Sequence, residues 1–158
     1  MTARPLVTAN RLALLIPAAL MAGALGSQYI GGLYPCEMCH WQRWPHYAAI
    51  VVAALAFATS GGTRRGLVLL AALLIAISGG IGVFHAGVEY GWWEGITTCS
   101  STVRPTGSTE EMLAQIMNAP MIRCDVAQWT FAGISLAGFN AIISLVGAGV
   151  VALLAVKR

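Results

Sequence analysis

Four stretches of the chain run without a charged residue: Leu12 to Ile30, Trp44 to Ser60, Leu67 to His85 and Trp129 to Val156. A hydrocarbon layer about 30 Å thick is crossed by a helix of about 20 mostly apolar residues, so each window predicts one transmembrane helix. Two short tails remain, with a tight turn at 61–66, a short loop at about 31–43 and a long loop at about 86–128. A soluble domain of ordinary size does not fit in that remainder. The pattern therefore predicts a single all-α membrane domain over 1–158, a four-transmembrane-helix bundle with spans at about 12–30, 44–60, 67–85 and 129–156.

Finer patterns refine this picture. Ala18, Ala22 and Gly26 recur at the small-xxx-small spacing that lets helices approach closely in lipid. Arg4 and Arg11 before an apolar run, followed by Ala22-Gly23-Ala24, also fit a cleavable leader, but the run continues to about Ile30, past the 7 to 15 residues of a signal core. In the long loop, Ser108 and Glu111 form a capping box. Met112, Leu113, Ile116 and Met117 then make one apolar stripe before Pro120, which predicts a short interfacial helix lying on the membrane surface.

Composition agrees: 58% of residues are apolar and 9% charged, against roughly 25% charged in soluble domains. A water-soluble globule is excluded. The nine Lys and Arg residues are scattered, so the dense cationic surface that nucleic acid requires is missing too. Arg4, Arg11, Arg64, Arg65, Lys157 and Arg158 fall on the side of the two tails and the middle turn, and only Arg43, Arg104 and Arg123 on the other. The positive-inside rule then places both termini in the cytoplasm and both larger loops outside. Glu37, Glu89, Glu94, Glu110, Glu111 and Asp125 all lie outside in this orientation. Trp41, Trp44, Trp92, Trp93 and Trp129 fall at the outer boundaries, as an aromatic belt would.

The four cysteines share that outer side: Cys36 and Cys39 in the short loop, Cys99 and Cys124 in the long one. An even number of thiols confined there implies an oxidising compartment. Cys99 and Cys124 would make a useful staple, closing about 25 residues for roughly 3 to 4 kcal/mol in the chain-entropy model. Cys36 and Cys39 close almost no chain, and the usual value of such a pair is reactivity. If the second helix begins near Cys36, its free N–H groups and positive end stabilise a thiolate there. Pro45 offers the alternative of a regular helix starting only near Trp44.

Cys36-x-x-Cys39-His40 is also the attachment pattern of c-type haem. Little chain surrounds it to wrap a porphyrin, and haem gives no reason for the second cysteine pair. A zinc site using His40 fares worse, since two pairs about 60 residues apart are a poor preformed tetrahedron, and no metal is expected. Arg43 follows Cys39 by one helical turn. It is either a snorkelling interface cation or a fixed charge that stabilises a thiolate and an anionic electron acceptor. Gln28 and His85 either hydrogen-bond another helix or line a shared pocket for a carbonyl ligand, since polar groups within a membrane are costly. His40 and His46 read as interface residues.

Taken in order, the residues resemble a known family: Gln28 eight positions before Cys36, Pro35-Cys36-x-x-Cys39-x-x-x-Arg43 at the second span, His85 ending the third, and Cys124-Asp125-Val126-Ala127-Gln128-Trp129 opening the fourth. The set is similar, over nearly the whole chain, to the disulfide bond formation protein B (DsbB) family of the bacterial inner membrane. The resemblance implies a thiol-disulfide:quinone oxidoreductase with its loops in the periplasm. Cys99 and Cys124 would form the disulfide offered to a reduced thioredoxin-like oxidase of the DsbA type, with Cys99 making the mixed disulfide. Cys36 would exchange through Cys124, leaving Cys39 as the thiolate beside a membrane quinone, either ubiquinone or menaquinone, positioned by Arg43 with His85 and Gln28. A partner disulfide near about −120 mV can be regenerated only by a comparably oxidising pair, so both cysteine pairs are expected to be easily reduced. His40, and the distinct sequence of the loop bearing Cys99, are the departures. A haem-bearing electron carrier and a non-catalytic scaffold with two structural disulfides are the competing readings.

Overall fold

The computed structural model describes residues 3–96, 100–101, 106–117 and 121–157. Five helices are described: α1 Ala3–Tyr29, α2 Glu37–Phe57, α3 Gly61–Glu89, α4 Thr109–Met117 and α5 Leu136–Val156. Four two-residue strands accompany them. β1 Ser100–Ser101 pairs antiparallel with β2 Met121–Ile122, and β3 Thr130–Phe131 with β4 Ile134–Ser135. The four long helices form one bundle, in which α3 packs against α2 and α5, and α1 lies against α2 and α5.

By length and composition α1, α3 and α5 can each cross a membrane. α2 matches α5 in length at 21 residues, but opens with Glu37, His40, Gln42, Arg43 and His46. Its first two turns precede the charge-free window that begins at Trp44.

The distribution of side-chain size suits lipid. The buried core is dominated by alanine, including Ala9, Ala13, Ala49, Ala53, Ala56, Ala71, Ala141 and Ala148, whereas Leu15, Val51, Leu55, Leu73, Val146 and Leu153 point outward. Lipid tails are as apolar as leucine, so bulk gains little by turning inward, and close backbone approach through small residues drives the packing. On α1 the packed stripe is Ala9, Ala13, Pro17 and Met21. The expected stripe differs: Ala22 is exposed, and the space around Gly26 is open. Both rows have the same spacing, and only the rotation of the helix decides between them. Between α3 and α5 the backbones approach closely, and a Cβ on Gly82 would lie 3.0 Å from the Ala141 backbone N.

Several element boundaries move from the hydropathy windows, each for a local reason. α1 begins at Ala3 and runs through Pro17. α2 begins at Glu37 with Cys36 as its N-cap, and Pro45 stands within the helix, so the earlier of the two expected starts is the one adopted. α3 starts at Gly61, leaving only residues 58–60 as the turn. The guanidinium of Arg64 donates to the carbonyls of Ala56 and Phe57 at 3.2 and 3.4 Å, which satisfies the exposed end of α2. The last span is overturned at its start: α5 begins at Leu136, not Trp129. Ala132 and Gly133 adopt φ of 50° and 79°, the two left-handed residues of a two-residue hairpin turn. Ser135 then caps α5 by accepting from the Gly138 N–H at 3.1 Å. Tyr90, just past α3, donates its hydroxyl to the Gly133 carbonyl and accepts from the Ser135 N–H, at 3.0 and 2.9 Å.

In the long loop, Ser108 N–H donates to Glu111 Oε2 at 2.8 Å and Glu111 N–H to Ser108 Oγ at 3.3 Å. That reciprocal cap starts α4, on which Leu113 and Met117 are exposed. The side chain of Ile116 lies outside the described residues.

The α3–α5 seam yields the first prediction. Gly82→Val forces backbone apart and is expected to lower stability by about 1 to 3 kcal/mol, read as a lower thermal midpoint in detergent. Gly80→Ala, where the added carbon meets open space, is expected to leave the midpoint unchanged or slightly raised.

Candidate active site

The N-terminus of α2 gathers the reactive side chains. Cys36, as N-cap, accepts a hydrogen bond from the Cys39 N–H at 3.3 Å, which brings its sulfur to 3.0 Å from Cys39 Sγ. Cys36 is buried against Met38, Val88 and Ile122, with Trp41 and Cys124 packed around it. Its sulfur lies 3.5 Å from His85 Nε2. Cys124 reaches the same place because its segment is fixed on both sides: Ile122 is buried in this cluster, and Gln128 Nε2 donates to the Tyr34 carbonyl. Arg123 and Asp125 form an exposed two-pronged ion pair beside it. Cys36, Cys39 and Cys124 are free thiols in this structure. Cys99 lies outside the described residues.

Each sulfur of the pair has different neighbours. The Cys36 S–H donates to Cys39, which pushes the Cys36 thiol up, and burial adds to the rise. Cys39 is pulled below the ordinary thiol range by that hydrogen bond; its burial opposes the shift, and the Arg43 charge adds to it. The reduced pair thus holds one thiol at Cys36 and favours a thiolate at Cys39. Arg43 is held by two acceptors of α1, Gln28 Oε1 at 2.6 Å and the Ala24 carbonyl at 3.3 Å. Gln28 therefore belongs to the site through the guanidinium it orients.

A cavity of about 200 Å³ opens next to Cys39, between α1, α2 and α5. Leu20, Met21 and Phe139 give it apolar walls, and Cys39, Arg43, His46 and Asn140 a polar edge. The cavity thus offers a ligand a polar edge beside Cys39 and otherwise apolar walls. For a metal, Cys36, His85 and Cys124 offer one ligand atom each, all within 4.8 Å of one another, a soft donor set of the kind zinc takes. His40, on which the haem and zinc patterns depended, is exposed on α2.

Sequence reasoning missed a buried amide network beneath the dithiol. Gln42 Nε2 lies 2.7 Å from His85 Nδ1 and donates to the Met38 carbonyl at 3.3 Å. Its Oε1 accepts from Asn140 Nδ2 at 2.7 Å. Asn140 Oδ1 in turn receives Ser144 Oγ–H, and lies 2.9 Å from His46 Nε2. Ser78 Oγ donates to the Gln42 carbonyl at 2.8 Å. His46, expected at the interface, is 3% exposed. A signal existed: Gln42 and His46, like Asn140 and Ser144, recur four residues apart, which places each pair on one helix face.

The comparisons settle the lineage. Residues 7–154 match the family described as disulfide bond formation protein DsbB. The chain belongs to the DsbB family. A Polaromonas relative (strain JS666) named Disulfide bond formation protein B is 32% identical over 152 residues, covering 89% of this chain and 87% of the relative. One from Aromatoleum aromaticum with the same name is 33% identical over 155 residues, covering 89% of each. A third, from Albidiferax ferrireducens, is 32% identical over 124 residues, 73% of this chain and 68% of its own. No solved structure matches. This DsbB family member, with its long apolar helices, is an integral membrane protein with an oxidoreductase role in disulfide bond formation.

The asymmetry of the pair is open to direct measurement in this DsbB chain. In the reduced protein, mass-spectrometric mapping of iodoacetamide labelling against pH is expected to give Cys39 a midpoint below that of an ordinary thiol and Cys36 one above it. Thiolate is the reactive form, so raising a thiol's pKa moves its labelling curve to higher pH. Cys36→Ala, which removes the main hydrogen bond to Cys39, raises the Cys39 midpoint most, and Arg43→Gln raises it less. Coincident midpoints for the two sulfurs in the unmodified chain would contradict the assignment.

Proposed function

We propose that this chain reoxidises a periplasmic thioredoxin-like dithiol oxidase of the DsbA type and passes the electrons to a membrane quinone, as a thiol-disulfide:quinone oxidoreductase. The observation that carries the reading is the position of the Cys36–Cys39 pair, with Cys124 on one side and an apolar cavity edged by Arg43 on the other. In this reading α2 is the second of four crossings of the bacterial inner membrane, entering the lipid near Trp44, both termini are cytoplasmic, and the segments 31–43 and 90–135 face the periplasm. The count of Lys and Arg on the two sides supports that orientation.

The chain's own residues divide the work. Cys99 and Cys124, as a disulfide, accept two electrons from the reduced oxidase and become two thiols. Cys124 then attacks Cys36 of an oxidised Cys36–Cys39 pair, the bond between them breaks, and Cys39 leaves as a thiolate facing Arg43. Attack of Cys99 on Cys124 restores the loop disulfide and returns Cys36 as a thiol. Gln42 donates to His85 Nδ1, which leaves the hydrogen on Nε2, 3.5 Å from Cys36 Sγ, so that His85 can hydrogen-bond this sulfur as it gains or loses charge. Ubiquinone or menaquinone in the cavity supplies the two-electron, two-proton acceptor. When Cys36 and Cys39 close their disulfide again, one S–S bond forms, and two electrons and two protons leave the sulfurs. Arg43 stabilises the negative charge that passes from Cys39 toward the cavity. Arg43 thus serves the quinone at the cavity edge and Gln28 serves it by orienting the guanidinium, whereas His85, which does not line the cavity, acts on the quinone only through the Cys36 sulfur.

The test mixes purified protein with a reduced thioredoxin-like oxidase and a soluble quinone analogue and follows the quinone absorbance. Turnover is expected to fall to the uncatalysed rate in Cys36→Ser and in Cys39→Ser. Arg43→Gln, which loses one charge-assisted hydrogen bond of about 1.5 to 3 kcal/mol, is expected to raise the quinone KM about ten- to a hundredfold. Turnover that survives loss of Cys36 removes the mechanism. A scaffold held by two staples predicts that Cys39→Ser changes nothing.

A further inference from the structure

Cys124 has to reach Cys36 from a stretch of chain with no regular structure of its own, since residues 123–129 form neither helix nor strand. Two ties bound that stretch. On one side Ile122 pairs with Ser100 and is buried beside Cys36. On the other, Gln128 Nε2 donates to the Tyr34 carbonyl. A carbonyl only accepts, so the way the Gln128 amide points is fixed by its partner.

The acceptor is held in place from both directions. Pro35 confines the residue before it to extended backbone, and the Leu33 N–H donates to the Ser27 carbonyl at 3.0 Å, which ties the segment to α1. Cys36, two residues past Tyr34, caps α2. Gln128 therefore grips a fixed point beside Cys36 with a side chain four residues beyond Cys124. Val126, Gln128 and Trp129 line one crevice with Tyr34, Pro35 and Cys36, and the sulfurs of Cys124 and Cys36 lie within 4.8 Å of each other. A sulfur on a freely moving segment meets its partner at an effective concentration of about millimolar, whereas one held in contact reaches far higher effective molarities. The Gln128 bond is exposed, so it holds Cys124 at Cys36 and still lets it go, as the later exchange with Cys99 requires.

We propose that Gln128 is the positioning residue of the exchange between the two cysteine pairs: its hydrogen bond to the Tyr34 carbonyl latches the Cys124 segment to the approach of α2 and sets the effective molarity of Cys124 at Cys36. The proposal rests on the thiol:quinone reading above, in which Cys124 attacks Cys36. In that step Cys124 gives its proton to water, its thiolate forms a bond to the Cys36 sulfur, the Cys36–Cys39 bond breaks, and Cys39 keeps the electron pair. Gln128 touches none of these atoms and acts only through where it holds Cys124.

The experiment measures a disulfide equilibrium, with neither quinone nor partner oxidase present. Full-length protein carrying Cys39→Ala and Cys99→Ala keeps only the two sulfurs that exchange. Equilibrated under argon in glutathione buffers, then quenched in acid and alkylated, it gives by mass spectrometry the effective molarity of the Cys36–Cys124 disulfide. Adding Gln128→Leu is expected to lower that value about fivefold, the loss of one neutral hydrogen bond of about 1 kcal/mol. Gln128→Glu, equal in size but without a hydrogen to donate when ionised, lowers it at least as much, and Gln128→Arg, a donor of longer reach, retains part of it. In a parallel chain with Cys99→Ala and Cys124→Ala, Gln128→Leu is expected to leave the effective molarity of the Cys36–Cys39 pair unchanged. An unchanged Cys36–Cys124 value in Gln128→Leu, or an equal fall in both pairs, overturns the proposal and leaves the thiol:quinone reading intact. Failure of Cys36 and Cys124 to form a disulfide in any buffer with Gln128 in place removes the exchange step and overturns both.

Discussion

A polar group surrounded by hydrocarbon has no water to turn to, so a buried donor or acceptor is costly unless it finds a partner within the protein. In this bundle the amide of Gln42 is where that requirement binds most tightly. It meets the Met38 carbonyl of its own helix, His85 of α3 and Asn140 of α5. These contacts lock three helices in rotation and in depth directly beneath the dithiol. They also orient His85, so that its Nε2 hydrogen lies on the side of Cys36 and Glu89. Removing one member strands the others, and in a low-dielectric interior such a set stands or fails together.

The network can exist only because the backbones around it come close. Gly79 and Gly82 on α3 meet Ser144 and Ala141 of α5 at distances that leave no room for a side chain, and the ends of α2 and α3 are joined by a three-residue turn closed by Arg64. Larger residues in this seam would push Asn140 away from Gln42. Small residues and buried amides are therefore two parts of one design, the first supplying proximity and the second specificity. The bulky aliphatic residues take no part in it and face outward.

Much of this was legible in the chain and some was not, for reasons that can be assigned. Cysteine, arginine and histidine are scarce in so apolar a sequence, so Cys36, Cys39, Cys124, Arg43 and His85 stand out before any fold is known. The cap of α4 was equally legible, since a capping box is a contact between residues three apart. The start of α5 was not. Trp129 to Ser135 is as free of charge as the helix it precedes, and hydropathy does not register that Ala132 and Gly133 take left-handed backbone. Gln42, His46 and Asn140 escaped because their meaning lies in pairings across 94 and 98 positions of sequence, which depend on how each helix is rotated. The same dependence misplaced the small-residue stripe of α1, where two rows of equal spacing compete and the packed one runs through Ala9, Ala13 and Pro17.

The N-cap position of Cys36 makes two like residues unlike. A sulfur at the cap lies outside the helix barrel, where it can be reached from α3 and from the segment that bears Cys124. Three residues on, Cys39 lies within the first turn, on the side of Arg43 and the cavity. Thiol exchange needs a sulfur approachable along its S–S bond, whereas electron transfer to a ring needs one held against a dry wall next to a positive charge. A single turn of helix satisfies both, because it presents its two sulfurs to two different environments while keeping them 3.0 Å apart. Had the helix begun at Trp44, both sulfurs would sit on one irregular loop with no such division between them. The roles of the two cysteines in the proposed route follow from where α2 begins.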